Sequence, residues 1–287
     1  MKKIFIVGSV NTDLVITASH APQAGETVMG SDFFTARGGK GANQAVAAAR
    51  LGGKVLMCGR IGNDLFGKEA LAAMQADNID VRHVKIAEDR STGTAVIVIT
   101  DGNNRIILDK GANAALSERD IDDFLSEATP GDIFLTQQEN PVSIVGYGLK
   151  RAKEKGMFVI LNPAPADKGI LPYLAYCDLI APNETESEIL GGRDFLLQKV
   201  PVVLTTLGEK GFEIATNDGV KTYPCIKIRP VDTTAAGDTL CGGLAAKLAE
   251  GATVEQAALF GSKAASVACT KKGAQPSIPT LEELNSY

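Results

Sequence analysis

Short apolar runs alternate along this chain with longer segments whose apolar residues recur at helical spacing. KIFIVGSV opens the sequence as a continuous β-prone run, and GANQAVAAARLGG follows as an alanine-rich helix closed by glycines. KVLMCGRIG predicts a second strand and FGKEALAAMQADNI a second helix. The alternation resumes with helix PVSIVGYGLKRAKEKG, strand MFVILNPAP, and strands within DLIAPNE and VPVVLTTLG. Apolar strands separated by amphipathic helices predict an α/β fold, a mainly parallel sheet covered on both faces.

Two segments interrupt that rhythm. Residues 14–36 carry alternating β-prone positions without a helix, and residues 82–108 include TAVIVITDGNNRIILD, which predicts a hairpin turning at DGNN. These two segments are expected to pair as a small sheet, a lid over the carboxyl edge of the large one. FEIATNDGVKTYP predicts a further hairpin at the large sheet's edge. No repeat of fixed period, low-complexity tract or linker divides the 287 residues, so one domain over 1–287 is expected.

Composition narrows the partners. Hydrophobic residues make up 45% and charged residues 22%, an ordinary globular balance. A net charge of −5 without a long basic run argues against nucleic acid as a main partner. Five scattered cysteines without C-x-x-C spacing, and only two histidines, predict a reduced, intracellular protein without a zinc site. The apolar run after the two N-terminal lysines is short and is broken by Asn11 and Asp13, unlike a signal peptide. With no apolar stretch of about 18 residues to cross a membrane, a cytoplasmic location is expected.

The candidate chemistry lies at strand ends and helix starts. GNDLFGKE falls short of a P-loop because Glu69 stands where a magnesium-binding hydroxyl is needed, and GKGANQ lacks the third glycine of a dinucleotide fingerprint. DTTAAGD is more informative, since it leads into the helical run TLCGGLAAKLAEG. Asp238 there either caps the helix or serves as a base beside an anion received on the bare amides of Ala235, Ala236 and Gly237. In GGKGANQA, Gly38, Gly39 and Gly41 permit close backbone approach, Lys40 brings positive charge and Asn43 a donor and an acceptor. Asn11 and Asp13 follow the first strand, and Glu139 follows another, where open α/β sheets bind ligands. Carboxylates and carboxamides converging there suit a polyhydroxyl compound. Asn183 and Glu186 in APNETES read either as a helix start or as a means of handling magnesium through water. TTLGEKG reads as a strand end and turn, or as a nucleotide-binding edge.

GGKGANQAVAAARLG and VDTTAAGDTLCGGLAAKLAEG, with LNPAPA, APNETE and KKGAQPSIP in order, resemble the phosphofructokinase-B type (ribokinase-like) family of carbohydrate kinases. The resemblance covers nearly the whole chain. It implies a three-layer αβα sandwich, a β-sheet lid able to clasp a second subunit in a homodimer, and ATP-dependent transfer to a sugar hydroxymethyl group, most simply that of a pentose. It assigns the general base to Asp238 and the anion hole to Ala235, Ala236 and Gly237. Sugar contacts fall on Asn11, Asp13, Gly39, Lys40, Asn43 and Glu139. The nucleotide falls along Asn183, Thr206, Leu207, Gly208, Glu209, Lys210 and Gly211, with Ser262 near the base. Mg2+ is held mostly by phosphates and water, with Asn183 and Glu186 behind it. An activating K+ is assigned to Asp232, Thr234, Ala268, Lys271, Gly273 and Ser277, several of them through backbone carbonyls alone.

The chain departs from that pattern between NETESEILGGRDF and VPVVLTTLG, where the family carries an additional helical segment that LLQK cannot replace. D-ribose is the favoured acceptor, giving a sugar 5-phosphate, and 2-deoxyribose, a nucleoside or another furanose remain open as alternatives. A sugar-binding sensor without turnover is the rival from another class, and it is disfavoured because both the base and the anion loop are present.

Overall fold

The computed structural model describes residues 1–101 and 103–287 of the chain. Thirteen strands are seen among the described residues, the first seven being β1 (Lys3–Val7), β2 (Asn11–Ala18), β3 (Gly30–Gly38), β4 (Lys54–Gly62), β5 (Asp80–Ala87), β6 (Gly93–Thr100) and β7 (Asn103–Asp109). They are followed by β8 (Ile133–Thr136), β9 (Phe158–Leu161), β10 (Leu179–Ile180), β11 (Val202–Thr206), β12 (Phe212–Thr216) and β13 (Gly219–Tyr223). The helices are α1 (Lys40–Arg50), α2 (Leu65–Ala76), α3 (Glu118–Leu125), α4 (Val142–Glu154), α5 (Glu184–Ile189), α6 (Arg193–Leu197), α7 (Ala236–Ala249), α8 (Val254–Ala268) and α9 (Leu281–Asn285).

Nine strands form the large sheet in the order β13-β12-β11-β10-β9-β8-β1-β4-β5. Its pairs are parallel except where the hairpin of β12 and β13 turns back at one edge, as its sequence predicts. Side chains alternate between the two faces of a strand. Ile4 and Ile6 of β1 therefore join a core under α1, α7 and α8, while Phe5 and Val7 join a second core under α3 and α4. This is the three-layer α/β arrangement, and both cores are built from strands apolar on both faces.

The small sheet has the order β3-β2-β6-β7. Its β2 runs parallel to β6, with Asn11 opposite Gly93, and antiparallel to β3, with Asn11 opposite Gly38. The bounds drawn from sequence need one correction. Residues 82–87, grouped there with the small sheet, belong to β5 and pair in parallel with β4 at the edge of the large one. Alternation identifies a strand but not its partner, and a parallel neighbour some 25 residues away leaves no local mark. The turn expected at DGNN includes Gly102, which lies outside the described residues.

The shortened connection before β11 closes compactly. Gly191 and Gly192 both take positive φ, which reverses the chain after α5, and α6 then packs Leu196 into the second core beside Leu190 and Val200.

Candidate active site

Two helix starts meet here because their helices pack unusually closely. A side chain on Gly242 of α7 would lie 2.5 Å from Cβ of Ala47 and 2.7 Å from the carbonyl oxygen of Gln44, both on α1. A side chain on Gly41 would meet the backbone of Gly8 and Ser9 at 2.5 Å, so α1 begins hard against the end of β1. The glycines of GGKG thus allow close packing of protein on protein, and Gly38 leaves room for the Asp13 carboxylate. Gly39, at φ 86, is the backbone turn from β3 into α1.

The result is a buried carboxylate held by amides. Asp238, in the first turn of α7, is 5% exposed. Its Oδ2 accepts from Asn43 Nδ2 at 3.0 Å and its Oδ1 from Gln44 Nε2 at 3.0 Å. It does not cap its own helix, since α7 starts at Ala235 in the left-handed region (φ 60) with no side-chain cap. The Ala236 amide bonds Thr233 O at 3.2 Å, and the Cβ position of Gly237 has nothing within 4 Å. Asp238, Lys40, Asn162, Asn183, Glu186 and Gly237 share the wall of one cavity of about 250 Å3. Asp238 above all, then Glu139 and Glu186, push the Lys40 ammonium above its ordinary value against the opposing effect of burial.

The predicted sugar contacts converge around the start of α1. Glu139 Oε2 accepts from the Ser9 hydroxyl, from the Lys40 backbone N–H at 3.0 Å and from Asn11 Nδ2 at 3.5 Å. Asn11 Oδ1 in turn accepts from Asn113 Nδ2 at 2.7 Å. Burial, and then the neighbouring Glu139, push Asp13 up to about 6. Asn43 Oδ1 is buried without a partner. Ser9, Gln44 and Asn113 were not singled out from sequence. Gln44 stands inside a quoted motif, but its side-chain partners lie at least 93 residues away.

A larger cavity of about 720 Å3 adjoins the first, and Thr206, Thr233, Ala236 and Gly237 line both. Gly208, Glu209, Lys210, Gly211 and Ser262 are on its wall, whereas Leu207 is not. Cys225, Ile226 and Ile228, which face them, carry no sequence signal. Asn183 caps α5, accepting from the Glu186 N–H at 2.8 Å, while Glu186 Oε2 accepts from the Asn183 N–H at 2.9 Å. Burial raises Glu186 above its ordinary value despite that bond. Among the described residues no three His, Cys, Asp or Glu side chains come together as a metal cage.

Asp232 ties the loop before α7 to the loop after α8. Its Oδ1 accepts from the Thr234 N–H at 2.9 Å and the Thr234 hydroxyl at 2.6 Å, and its Oδ2 accepts from the Gly273 N–H at 2.9 Å. Burial alone would raise Asp232, but these bonds outweigh it and hold the group below its usual range. The other predicted cation ligands are near in sequence but engaged in different ways. The Lys271 ammonium turns away to Glu283 at 2.7 Å, the Ser277 hydroxyl donates to Ala274 O, and the Ala268 carbonyl accepts from the Lys271 N–H. From these positions only backbone oxygens and Asp232 suit a cation.

Comparison with known proteins is consistent along the whole chain. The family model "pfkB family carbohydrate kinase" matches residues 1–281. A ribokinase of Haemophilus influenzae is 39% identical over 98% of this chain and 97% of its own. A deoxyribokinase of Salmonella typhi is 34% identical over 99% and 98%. The structure of Arabidopsis thaliana ribokinase complexed with ribose and ATP superposes with a TM-score of 0.88 at 30% identity, covering 99% of this chain and 98% of that one.

Proposed function

The chain belongs to the pfkB family of carbohydrate kinases, phosphotransferases acting on an alcohol group, and from that premise we propose that it phosphorylates the 5-hydroxymethyl group of a pentose, D-ribose first, from ATP. One observation carries this reading. A buried carboxylate, Asp238, and an uncapped helix start at Gly237 face the same cavity, with Lys40 beside them. Asp238 would accept the hydroxyl proton as the oxygen attacks phosphorus, a contribution of about 10²–10⁴ in rate. The N–H groups of Ala235 and Gly237 would meet charge developing on the transferred group, while that of Ala236 is already given to Thr233 O. The cleft along Thr206 and Gly208–Gly211, with Ser262 on its wall and Asn183 on the adjoining smaller cavity, suits the nucleotide, whose phosphates would reach the shared wall at Gly237.

Asn11, Asp13, Gly39, Lys40, Asn43 and Glu139 would surround the sugar. We read the chain as one kinase domain whose small sheet closes over that sugar and excludes water. Asn183 and Glu186 fit a hydrated Mg2+ held mainly by phosphates, because they line the cavity and the capping bond of Glu186 engages only Oε2. Bound there, the ion would neutralise phosphate charge. Asp232 with the carbonyls near Thr234, Ala268, Lys271, Gly273 and Ser277 fits K+, which would stiffen the loop entering α7.

Phe33, Ile106 and Ile107 are exposed on the small sheet, which suits pairing with a second copy in a homodimer. The described residues include no helix long and apolar enough to cross a membrane. All five cysteines are free, which suits the reducing cytoplasm.

The deoxyribokinase relative favours a second acceptor, 2-deoxyribose, because one hydroxyl contact can decide between the two sugars. Phosphorylation assays with ATP and D-ribose, 2-deoxyribose or nucleosides test the assignment. D-ribose is expected to give the highest kcat/KM, and a nucleoside exceeding it would overturn the choice. Asp238→Asn is expected to lower kcat at least about 1,000-fold while sugar still binds. Near-parental turnover in that variant would remove Asp238 as the base.

A further inference from the structure

Gln44 lies between the proposed base and two other buried amides. Its Nε2 donates to Asp238 Oδ1 and to Asn162 Oδ1, each at 3.0 Å, and its Oε1 accepts from Gln137 Nε2 at 2.6 Å. The side chain is completely buried. An amide has two nearly equivalent orientations, and its neighbours decide between them. Here a backbone group decides for the whole chain of amides. Ala181 O can only accept, so Asn162 must present Nδ2 to it, at 2.8 Å. Asn162 then turns Oδ1 toward Gln44, which must answer with Nε2. Gln44 Oε1 is left facing Gln137, which supplies its own Nε2. Asp238 therefore faces an N–H donor, not a carbonyl, by a sequence of contacts that starts at a main-chain oxygen.

We infer that Gln44 is a positioning residue for the phosphoryl transfer, fixing the orientation of the Asp238 carboxylate through an amide chain anchored at Ala181. This rests on the reading of Asp238 as the base. With Asn43 on Oδ2 and Gln44 on Oδ1, the carboxylate plane is pinned at both oxygens, and each oxygen keeps a lone pair for the incoming proton. Loss of one donor frees the carboxylate to rotate and leaves it less well matched to the hydroxyl. Nothing in this arrangement has Gln44 touching the sugar, so its effect belongs in kcat and not in sugar affinity.

Gln44→Met keeps the length of the side chain and removes the donor. Turnover is expected to fall about 10- to 100-fold, the range for a hydrogen bond to a charged group, while the sugar Kd from calorimetry stays within about twofold. A purely structural role would instead lower the melting temperature and move Kd and kcat together, and that result overturns the inference, as does parental kcat. Should Gln44→Met fail to fold, Asn162→Leu carries the test. It removes the acceptor through which Ala181 O orients the Gln44 amide, so a several-fold loss of kcat at unchanged Kd is expected, and unchanged kcat overturns the inference. Asp238→Asn, measured alongside, separates the two claims. An active Asp238→Asn enzyme defeats the reading of the base, whereas an inactive one beside a normal Gln44→Met enzyme defeats only the role of Gln44.

Discussion

The starts of α5 and α7 both carry an acid at the third helical position, and they use it in opposite ways. At α5 the acid is Glu186, and with Asn183 it forms a reciprocal capping box. At α7 the acid is Asp238, and its carboxylate reaches across to α1, leaving the first turn without a side-chain cap. Three further helices, α3, α8 and α9, are closed by capping boxes like that of α5. Side-chain caps are thus common here, but α1, α4, α6 and α7 start without one, and the starts of α5 and α7 line the same cavity, the first capped and the second not. An uncapped start forgoes about 1 kcal/mol, and the exposed N–H groups gain value only when an anion arrives. The two ends should respond differently to substitution.

The largest contrast is expected at Gly237. A Cβ there meets no protein atom within 4 Å, so the helix should tolerate a valine, and loss of a helical glycine favours folding slightly. The branched side chain would nevertheless fill the wall common to both cavities. Turnover is expected to fall at least about 100-fold with the melting temperature unchanged or raised. A Gly237→Val enzyme with ordinary kcat would mean that the open helix start receives nothing.

Much of this was legible in the sequence. Apolar runs alternating with helical spacing gave the layers, and the bare residues of DTTAAGD marked the unusual helix start. What stayed hidden was pairing across long separations. β5 reads like a lid strand until its register with β4 is known. Whether Asp238 capped its helix or faced a neighbour depended on Gly242 allowing α1 to approach. The amides of Gln44, Gln137 and Asn162 come from three separate elements, and no spacing along the chain connects them.

A smaller effect should separate the sugar side from both helix starts. Asp13 is pushed up to about 6 by burial and then by Glu139. Sugar hydroxyls donate to a carboxylate, so binding favours the ionised form and weakens as pH falls through that value. Between pH 7.5 and pH 5 the sugar Kd is expected to rise about tenfold, one decade per pH unit below the midpoint. Asp13→Asn should flatten that dependence. A parental Kd equal at the two pH values would show that the Asp13 charge is not used for the sugar.

The smallest expected effect lies at the capped end. Asn183→Ala removes the acceptor for the Glu186 N–H and opens the box at α5, at a cost of about 1 kcal/mol. In a chain of this size that corresponds to a fall of roughly 2–4 °C in melting temperature. If Asn183 also stands behind a hydrated Mg2+, the magnesium concentration needed for half-maximal activity should rise several-fold in the variant. The same substitution thus reads both roles, through separate measurements. Lost stability with an unchanged magnesium requirement would leave α5 as an ordinary capped helix, and the contrast with α7 would then be complete. A raised magnesium requirement would instead show one residue serving the helix and the phosphate site together, because the capping bond spends only the amide oxygen of Asn183 and leaves its nitrogen for the water around the ion.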